Sequence, residues 1–125
     1  MTPLLFLALA GAGGVGAACR MLVDGLIRGW VRVAYPLGTT VINVSGSLLL
    51  GVLTGLALGN VLPEAWVIVV GTGFCGGYTT FSTASFETVR LLQDGRRLVA
   101  VANGFGTLVL SVAAAMLGLW LGTLA

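Results

Sequence analysis

The segment GTGFCGGYTTFST, residues 71–83, decides the fold of this 125-residue chain. It lies inside an apolar stretch, yet the adjacent glycines Gly76 and Gly77 are followed closely by two β-branched residues, Thr79 and Thr80. Glycine and β-branched residues are poor helix formers. A broken membrane helix persists only where protein or a cavity covers the freed backbone, whose carbonyl groups are then able to hold a cation. The segment therefore predicts a transmembrane helix that is broken near the membrane centre.

The composition around this segment is that of an integral membrane protein. Hydrophobic residues make up 58% of the chain, charged residues only 8%, and the mean hydropathy is +1.08. A soluble domain carries about 25% charged residues, which this chain lacks. A membrane helix needs about 20 residues, so the chain has room for four. We predict one all-α domain over residues 1–125 with spans at about 3–23, 36–59, 65–89 and 98–121.

Several function classes lack the residues that they need. The chain has no His, no Lys, two Cys and four acidic residues, which leaves almost no ligands for a transition-metal site. No acid pair lies within the spans, so we predict that the chain is not an enzyme. The six Arg residues lie mostly in connections between apolar stretches and form no basic face, so we predict no nucleic-acid partner.

Two predicted helices carry polar side chains at every fourth position. Residues at that spacing lie on one face of a helix. Lipid does not tolerate an unpaired amide, so both faces must meet protein or a wet passage. The tracks act either as hydrogen bonds that join helices or as a file of donors along a route, and the spacing leaves both open. The side chains are Thr39, Asn43 and Ser47 in the second span and Asn103, Thr107 and Ser111 in the fourth.

Three motifs resemble the bacterial fluoride channel family known as Fluc or CrcB. They are GVGAACR at residues 14–20, GTTVINVSG at residues 38–46, and GFCGGYTTFST at residues 73–83, which is followed by Glu87. The motifs come in the family's order and at its spacing, and the third is long and specific. The resemblance implies a passive, fluoride-selective channel that lets fluoride leave a bacterial cell through its cell membrane.

The resemblance also implies an assembly and a cofactor. It implies an antiparallel dimer of four-helix subunits in the lipid bilayer, with two fluoride pathways and a structural sodium ion on the twofold axis. The main-chain oxygens of Gly76 and Thr79 occupy the sodium positions of the motif. Arg20 matches a basic residue near the vestibule, although extension of its side chain to the lipid headgroups is an equal alternative.

The remaining implied site residues belong to the fluoride pathway. Asn43 matches the amide that donates to fluoride. A passage of amide and hydroxyl donors replaces water around a small halide, and pore width excludes chloride. The other pathway residues are Thr80, Phe81, Ser82, Thr83, Thr107 and Ser111.

One position departs from the family pattern. Phe81 matches the first of two pore phenylalanines, but the second position holds Ala84. Phe86 lies about 200° further round a helix and does not simply substitute, which leaves the partner subunit or Phe105 to fill the gap. A non-conducting or half-conducting subunit of a heterodimeric fluoride channel is therefore an alternative function. A small four-helix drug exporter is a more remote one, because such exporters need a Glu in the first span, which has no acid before Asp24.

The arginines predict how the chain inserts. The first and third loops share one side of the membrane, and the opposite side has no Arg or Lys. Basic residues in short loops face the cytoplasm, so we predict one dominant orientation with both termini outside. An antiparallel dimer would then need a paralogous subunit that inserts in the opposite orientation. The alternative is a homodimer of chains that insert in both orientations, a dual-topology homodimer. The five loop arginines are Arg28, Arg32, Arg90, Arg96 and Arg97.

Overall fold

Five helices joined by short connections make up the chain, and there is no β-strand. The structure is a computed structural model that describes all of residues 1–125. The helices are α1 (Pro3–Trp30), α2 (Leu37–Leu58), α3 (residues 64–78), α4 (Ser82–Gln93) and α5 (Arg97–Thr123). By length and composition α1, α2 and α5 are able to cross a membrane, and α3 and α4 occupy the predicted third span. The prediction of an all-helical chain is confirmed, and the three long apolar helices are consistent with a membrane protein.

The third span is interrupted at residues 79–81. Thr79 has extended backbone angles, φ −81° and ψ 161°, and α4 begins at Ser82. The predicted break is therefore present, but Gly76 and Gly77 remain helical and the chain leaves the helix just after them. Two π-helical segments, Val67–Cys75 in α3 and Ala102–Gly106 in α5, have no counterpart in the sequence-based expectations.

The first helix extends beyond the span predicted for it. Thr2 caps its N-terminus, with the Leu5 N–H donating to Thr2 Oγ1 at 3.2 Å. At the other end the helix continues past Asp24 to Trp30. Arg28 Nε donates to Asp24 Oδ2 at 2.9 Å, and such a pair one turn apart supports a helix that has left the apolar stretch.

Close backbone contact between helices explains much of the glycine content. A Cβ atom on Gly51 would overlap the carbonyl group of Ala115, and one on Gly118 would overlap the carbonyl group of Leu48, so α2 and α5 pack backbone to backbone. The same holds for α1 and α3, where Gly16 lies against the Phe74 carbonyl group. Small residues at such contacts are the usual means of packing helices in lipid.

Candidate functional site

The interruption at residues 79–81 is held by an asparagine from a neighbouring helix. Asn43 on α2 donates from Nδ2 to the Thr80 carbonyl oxygen at 2.9 Å, and the Thr80 N–H donates to Asn43 Oδ1 at 2.8 Å. One side chain thus satisfies both backbone groups of a residue that has left the helical pattern. The amide has two N–H donors, and the second has no partner within the chain.

The same hydrogen bond frees a carbonyl group in the last turn of α3. In a continuous helix the Thr80 N–H would donate to the Gly76 carbonyl oxygen, but here it donates to Asn43. Nothing lies within 4 Å of the position that a Cβ on Gly76 would take. Gly76 therefore presents an open backbone surface where α3 ends.

Arg20 reaches the interruption from α1. Its Nη1 donates to the Thr79 carbonyl oxygen at 3.4 Å, and the Arg20 side chain is part-buried. The Thr79 N–H donates to the Cys75 carbonyl oxygen at 2.9 Å, as does the Thr79 hydroxyl at 2.8 Å. A guanidinium group and an asparagine amide from two different helices thus hold two successive residues of the break.

Hydroxyl groups gather where α4 begins. Thr80 Oγ1 accepts a hydrogen bond from the Thr83 N–H at 3.2 Å and donates to Thr83 Oγ1 at 3.1 Å, and Ser82 Oγ lies 3.5 Å from it. Thr80 therefore caps the helix, as serine and threonine commonly do. Of these three residues only Thr80 lines the groove described next.

A groove of about 800 Å³ runs along the interruption between α2, α3, α4 and α5. It brings together seven of the ten residues that the sequence analysis assigned to the site, whereas Ser82, Thr83 and Arg20 are not in its wall. Phe81 projects from the chain with 88% of its surface exposed. Ser111 Oγ is buried and has no hydrogen-bond partner in the chain. The seven residues are Asn43, Gly76, Thr79, Thr80, Phe81, Thr107 and Ser111.

The two polar tracks make hydrogen bonds between helices at most of their positions. On α2, the Thr39 hydroxyl donates to Glu87 on α4, in addition to the bonds that Asn43 makes to Thr80. On α5, Asn103 Nδ2 donates to Thr88 Oγ1 at 2.7 Å. Ser47 and Ser111 differ, because both line the groove without a side-chain hydrogen bond. Each track therefore contains residues that hydrogen-bond to another helix and one serine whose hydroxyl has no partner in the chain.

Ala84 lies in the wall of the groove, next to Phe81. Phe86 and Phe105 are 65% and 68% exposed, and neither is part of this wall. Within one chain, therefore, no second ring takes the place of the missing phenylalanine. This geometry does not support Phe105 as the ring that fills the gap within one chain.

Sequence reasoning did not assign a site role to two residues that the fold brings to the polar track on α5. Tyr35 Oη lies 2.7 Å from Thr40 Oγ1 and 3.2 Å from Thr107 Oγ1. Tyr35 lies outside both polar tracks, and Thr40 falls outside the spacing of four. No sequence pattern links Tyr35 or Thr40 to the distant Thr107, so only the fold reveals these contacts.

A comparison with known proteins identifies the family. The sequence profile described as "CrcB-like protein, Camphor Resistance (CrcB)" matches residues 6–119. The chain belongs to the CrcB family. The resemblance drawn from the three motifs is thereby confirmed, and the interruption, the groove and Asn43 all lie within the matched part of this CrcB chain.

Proteins similar to this CrcB chain carry a functional name. "Fluoride-specific ion channel FluC 1" of Leifsonia xyli subsp. xyli is 56% identical over 125 residues, which cover 100% of this chain and 91% of the relative. "Fluoride-specific ion channel FluC 2" of Cutibacterium acnes is 49% identical, over 90% of this chain and 92% of that protein. "Fluoride-specific ion channel FluC" of Rhodospirillum rubrum is 42% identical, over 94% and 90%.

Proposed function

We propose that this chain is a subunit of a fluoride-selective channel that lets fluoride leave a bacterial cell passively across the cell membrane. The observation that carries the proposal is the 56% identity, over the whole chain, to a protein named as a fluoride-specific ion channel. Membership of the CrcB family supports the same function. The relatives are named as channels, which agrees with a non-enzymatic role.

The groove offers the chemistry that a small halide needs. Its wall contains the Asn43 amide, with one N–H free of partners, and the buried Ser111 hydroxyl, which also has none. Donors of this kind replace the water that a fluoride ion loses on entering a narrow passage. No Lys, Arg or His side chain lines the groove to trap the ion with a full positive charge. The pathway proposed from the sequence therefore keeps Asn43, Phe81, Thr80, Thr107 and Ser111.

A second subunit completes this pathway in our proposal. The groove is open along one side, and Phe81 projects from the chain into space that a neighbouring subunit is able to occupy. The polar groups that line the open side of the groove are unsuited to lipid contact. We therefore propose the antiparallel dimer that the family resemblance implies, with the groove facing the partner.

The backbone at the interruption fits a sodium ion. Main-chain carbonyl oxygens at broken helices coordinate this cation in membrane proteins. The Gly76 carbonyl is released by the bond between Thr80 and Asn43, and the Thr79 carbonyl has two lone pairs, of which Arg20 uses one at 3.4 Å. We propose that these two carbonyls hold a structural sodium ion that fixes the break and adds a central positive charge.

Ala84 favours a second candidate, a subunit that conducts through only one pore or none. The wall of the groove is left without its second ring, and the arginines favour a single orientation. A heterodimer with an oppositely oriented paralogue accommodates both features. The names FluC 1 and FluC 2 among the relatives hint at paralogues and so support this candidate.

Growth of a fluoride-sensitive bacterium separates the two candidates. We expect a strain without its own fluoride channel to tolerate more fluoride when it produces this chain alone, and Asn43→Leu to remove that gain at equal membrane abundance. Lack of tolerance from abundant wild-type chain would contradict the homodimeric channel. If tolerance returns when the proposed paralogous partner is produced as well, that result would support the heterodimer. If the two subunits together still give no tolerance, both candidates are contradicted.

A further inference from the structure

Three hydroxyl groups from two distant parts of the chain meet at one point. Tyr35 lies in the connection between α1 and α2, Thr40 in the first turns of α2, and Thr107 on α5. Tyr35 Oη lies 2.7 Å from Thr40 Oγ1 and 3.2 Å from Thr107 Oγ1, and the two threonine hydroxyls are 3.1 Å apart. We name this cluster the hydroxyl triad. All three pairs are within hydrogen-bond distance, so each oxygen has two partners.

The hydroxyl triad lies between two cavities. Thr107 belongs to the wall of the groove, whereas Tyr35 belongs to the wall of a smaller cavity of about 180 Å³, together with Gly38 and Glu87. Thr40 and Thr107 are only 8% and 6% exposed. The triad therefore forms part of the partition between the groove and the loop end of the bundle.

Hydroxyl groups suit a site that an anion occupies briefly. Each carries one proton and two acceptor lone pairs, and the proton rotates to suit its surroundings. With no ion present, the three protons form hydrogen bonds within the triad. With a small anion present, all three turn to donate to it. Neither state leaves a buried donor unpaired, which would be costly, so the ion is able both to enter and to leave.

The acidic side chains of the smaller cavity have partners of their own. Asp24 accepts from Arg28 at 2.9 Å, and Glu87 accepts from the hydroxyl of Thr39. Both carboxylates also lie close to the N-terminus of α2, where the helix dipole favours negative charge. These contacts leave the protons of the hydroxyl triad uncommitted to either acid.

We propose that the hydroxyl triad is a fluoride-binding site through which the pathway passes from the groove to the smaller cavity. The inference rests on the proposed function and adds Tyr35 and Thr40 to the residues that contact fluoride. It commits to a small anion, because three hydroxyl oxygens 2.7–3.2 Å apart lie close enough together for all three to donate to one small ion.

Single-hydroxyl variants test the site in two assays. Tyr35→Phe removes one hydroxyl and keeps the ring, Thr107→Val removes one and keeps the shape, and Thr107→Ser retains the donor. Tyr78→Phe is the matched control, because Tyr78 Oη bonds only to Ser45 Oγ, at 3.0 Å, and lines neither cavity. The first assay is fluoride efflux from liposomes, and the second is the rise in melting temperature when sodium fluoride replaces sodium chloride.

We expect Tyr35→Phe and Thr107→Val to slow efflux about tenfold or more, the factor for losing one hydrogen bond to a charged group. Both should also lose most of the fluoride-dependent rise in melting temperature. Thr107→Ser should recover both readouts relative to Thr107→Val, and Tyr78→Phe should match the wild type. A purely structural triad would instead lower the melting temperature in chloride while the fluoride-dependent rise remained, which would overturn the proposal.

The two assays keep this inference distinguishable from the proposed function. If the wild-type chain fails to release fluoride, the proposed function fails, and the melting-temperature assay alone decides whether the triad binds the ion. If the wild-type chain releases fluoride and both hydroxyl-deleted variants match it in rate and in melting-temperature rise, the proposed function stands and the triad is refuted.

Discussion

Replacing Asn43 with leucine tests how the interruption of the third span is held. Leucine has a similar volume but neither donates nor accepts, so the Thr80 N–H and carbonyl groups both lose their partner. Each buried backbone group left unpaired costs about 1–3 kcal/mol. The two together predict a destabilisation of roughly 2–6 kcal/mol, and more where water has no access.

Thermal unfolding of the purified protein in detergent measures this cost. For a chain of this size we expect the melting temperature to fall by roughly 10 °C or more. Ser47→Ala is the matched control, because Ser47 lies one turn along α2, also lines the groove and makes no side-chain hydrogen bond. Its melting temperature should remain within about 2 °C of the wild type.

Fluoride efflux measured on the same variant separates the two roles of the amide. If Asn43 also donates to fluoride, flux through Asn43→Leu should fall sharply while the dimer persists. Near-normal flux with a lowered melting temperature would mean that Asn43 only joins helices. An unchanged melting temperature would refute the reasoning about the break itself.

Three further predictions follow from the packing, the carbonyl site and the charges. Gly118→Ala should destabilise the protein by about 1–3 kcal/mol in an unfolding titration, because its Cβ would overlap the Leu48 carbonyl, whereas Gly106→Ala, with nothing within 4 Å, should be nearly neutral. Thr79→Ser should have little effect on fluoride efflux, because the main-chain carbonyl group and not the side chain is proposed to bind sodium. Exhaustive removal of sodium should inactivate efflux slowly, and full activity after that exchange would contradict the structural cation. Paired reporters on the C-terminus, each active on one side of the membrane, separate the two candidate functions: a dual-topology homodimer requires comparable signal from both sides, whereas signal mainly from the outside, which the arginines favour, would require an oppositely oriented paralogue.

The sequence predicts the break well because the cause of the break is local. Two glycines followed by two threonines weaken any helix, and the chain does leave the helix at residues 79–81. The exact position depends on Asn43, which captures the backbone of Thr80 rather than that of an earlier residue. The packing of α2 against the break determines which backbone groups Asn43 binds, and no pattern within residues 71–83 predicts this.

The polar tracks show where sequence spacing stops being informative. A spacing of four places Asn103, Thr107 and Ser111 on one face of α5, but not opposite any particular residue. In the fold, Asn103 bonds to Thr88, Thr107 joins Tyr35, and only Ser111 remains without a partner. These partners lie in other helices and loops, so periodicity within a single helix does not predict them.

Fluoride release from liposomes that contain this chain alone tests the central claim most directly. Vesicles are loaded with potassium fluoride or potassium chloride, valinomycin is added to balance charge, and an ion-selective electrode follows the anion that leaves. We predict rapid release of fluoride at a rate that rises with protein density, and chloride release no faster than from protein-free vesicles. Equal release of both anions, or no fluoride release from folded protein, would contradict the claim that this chain by itself forms a fluoride-selective channel.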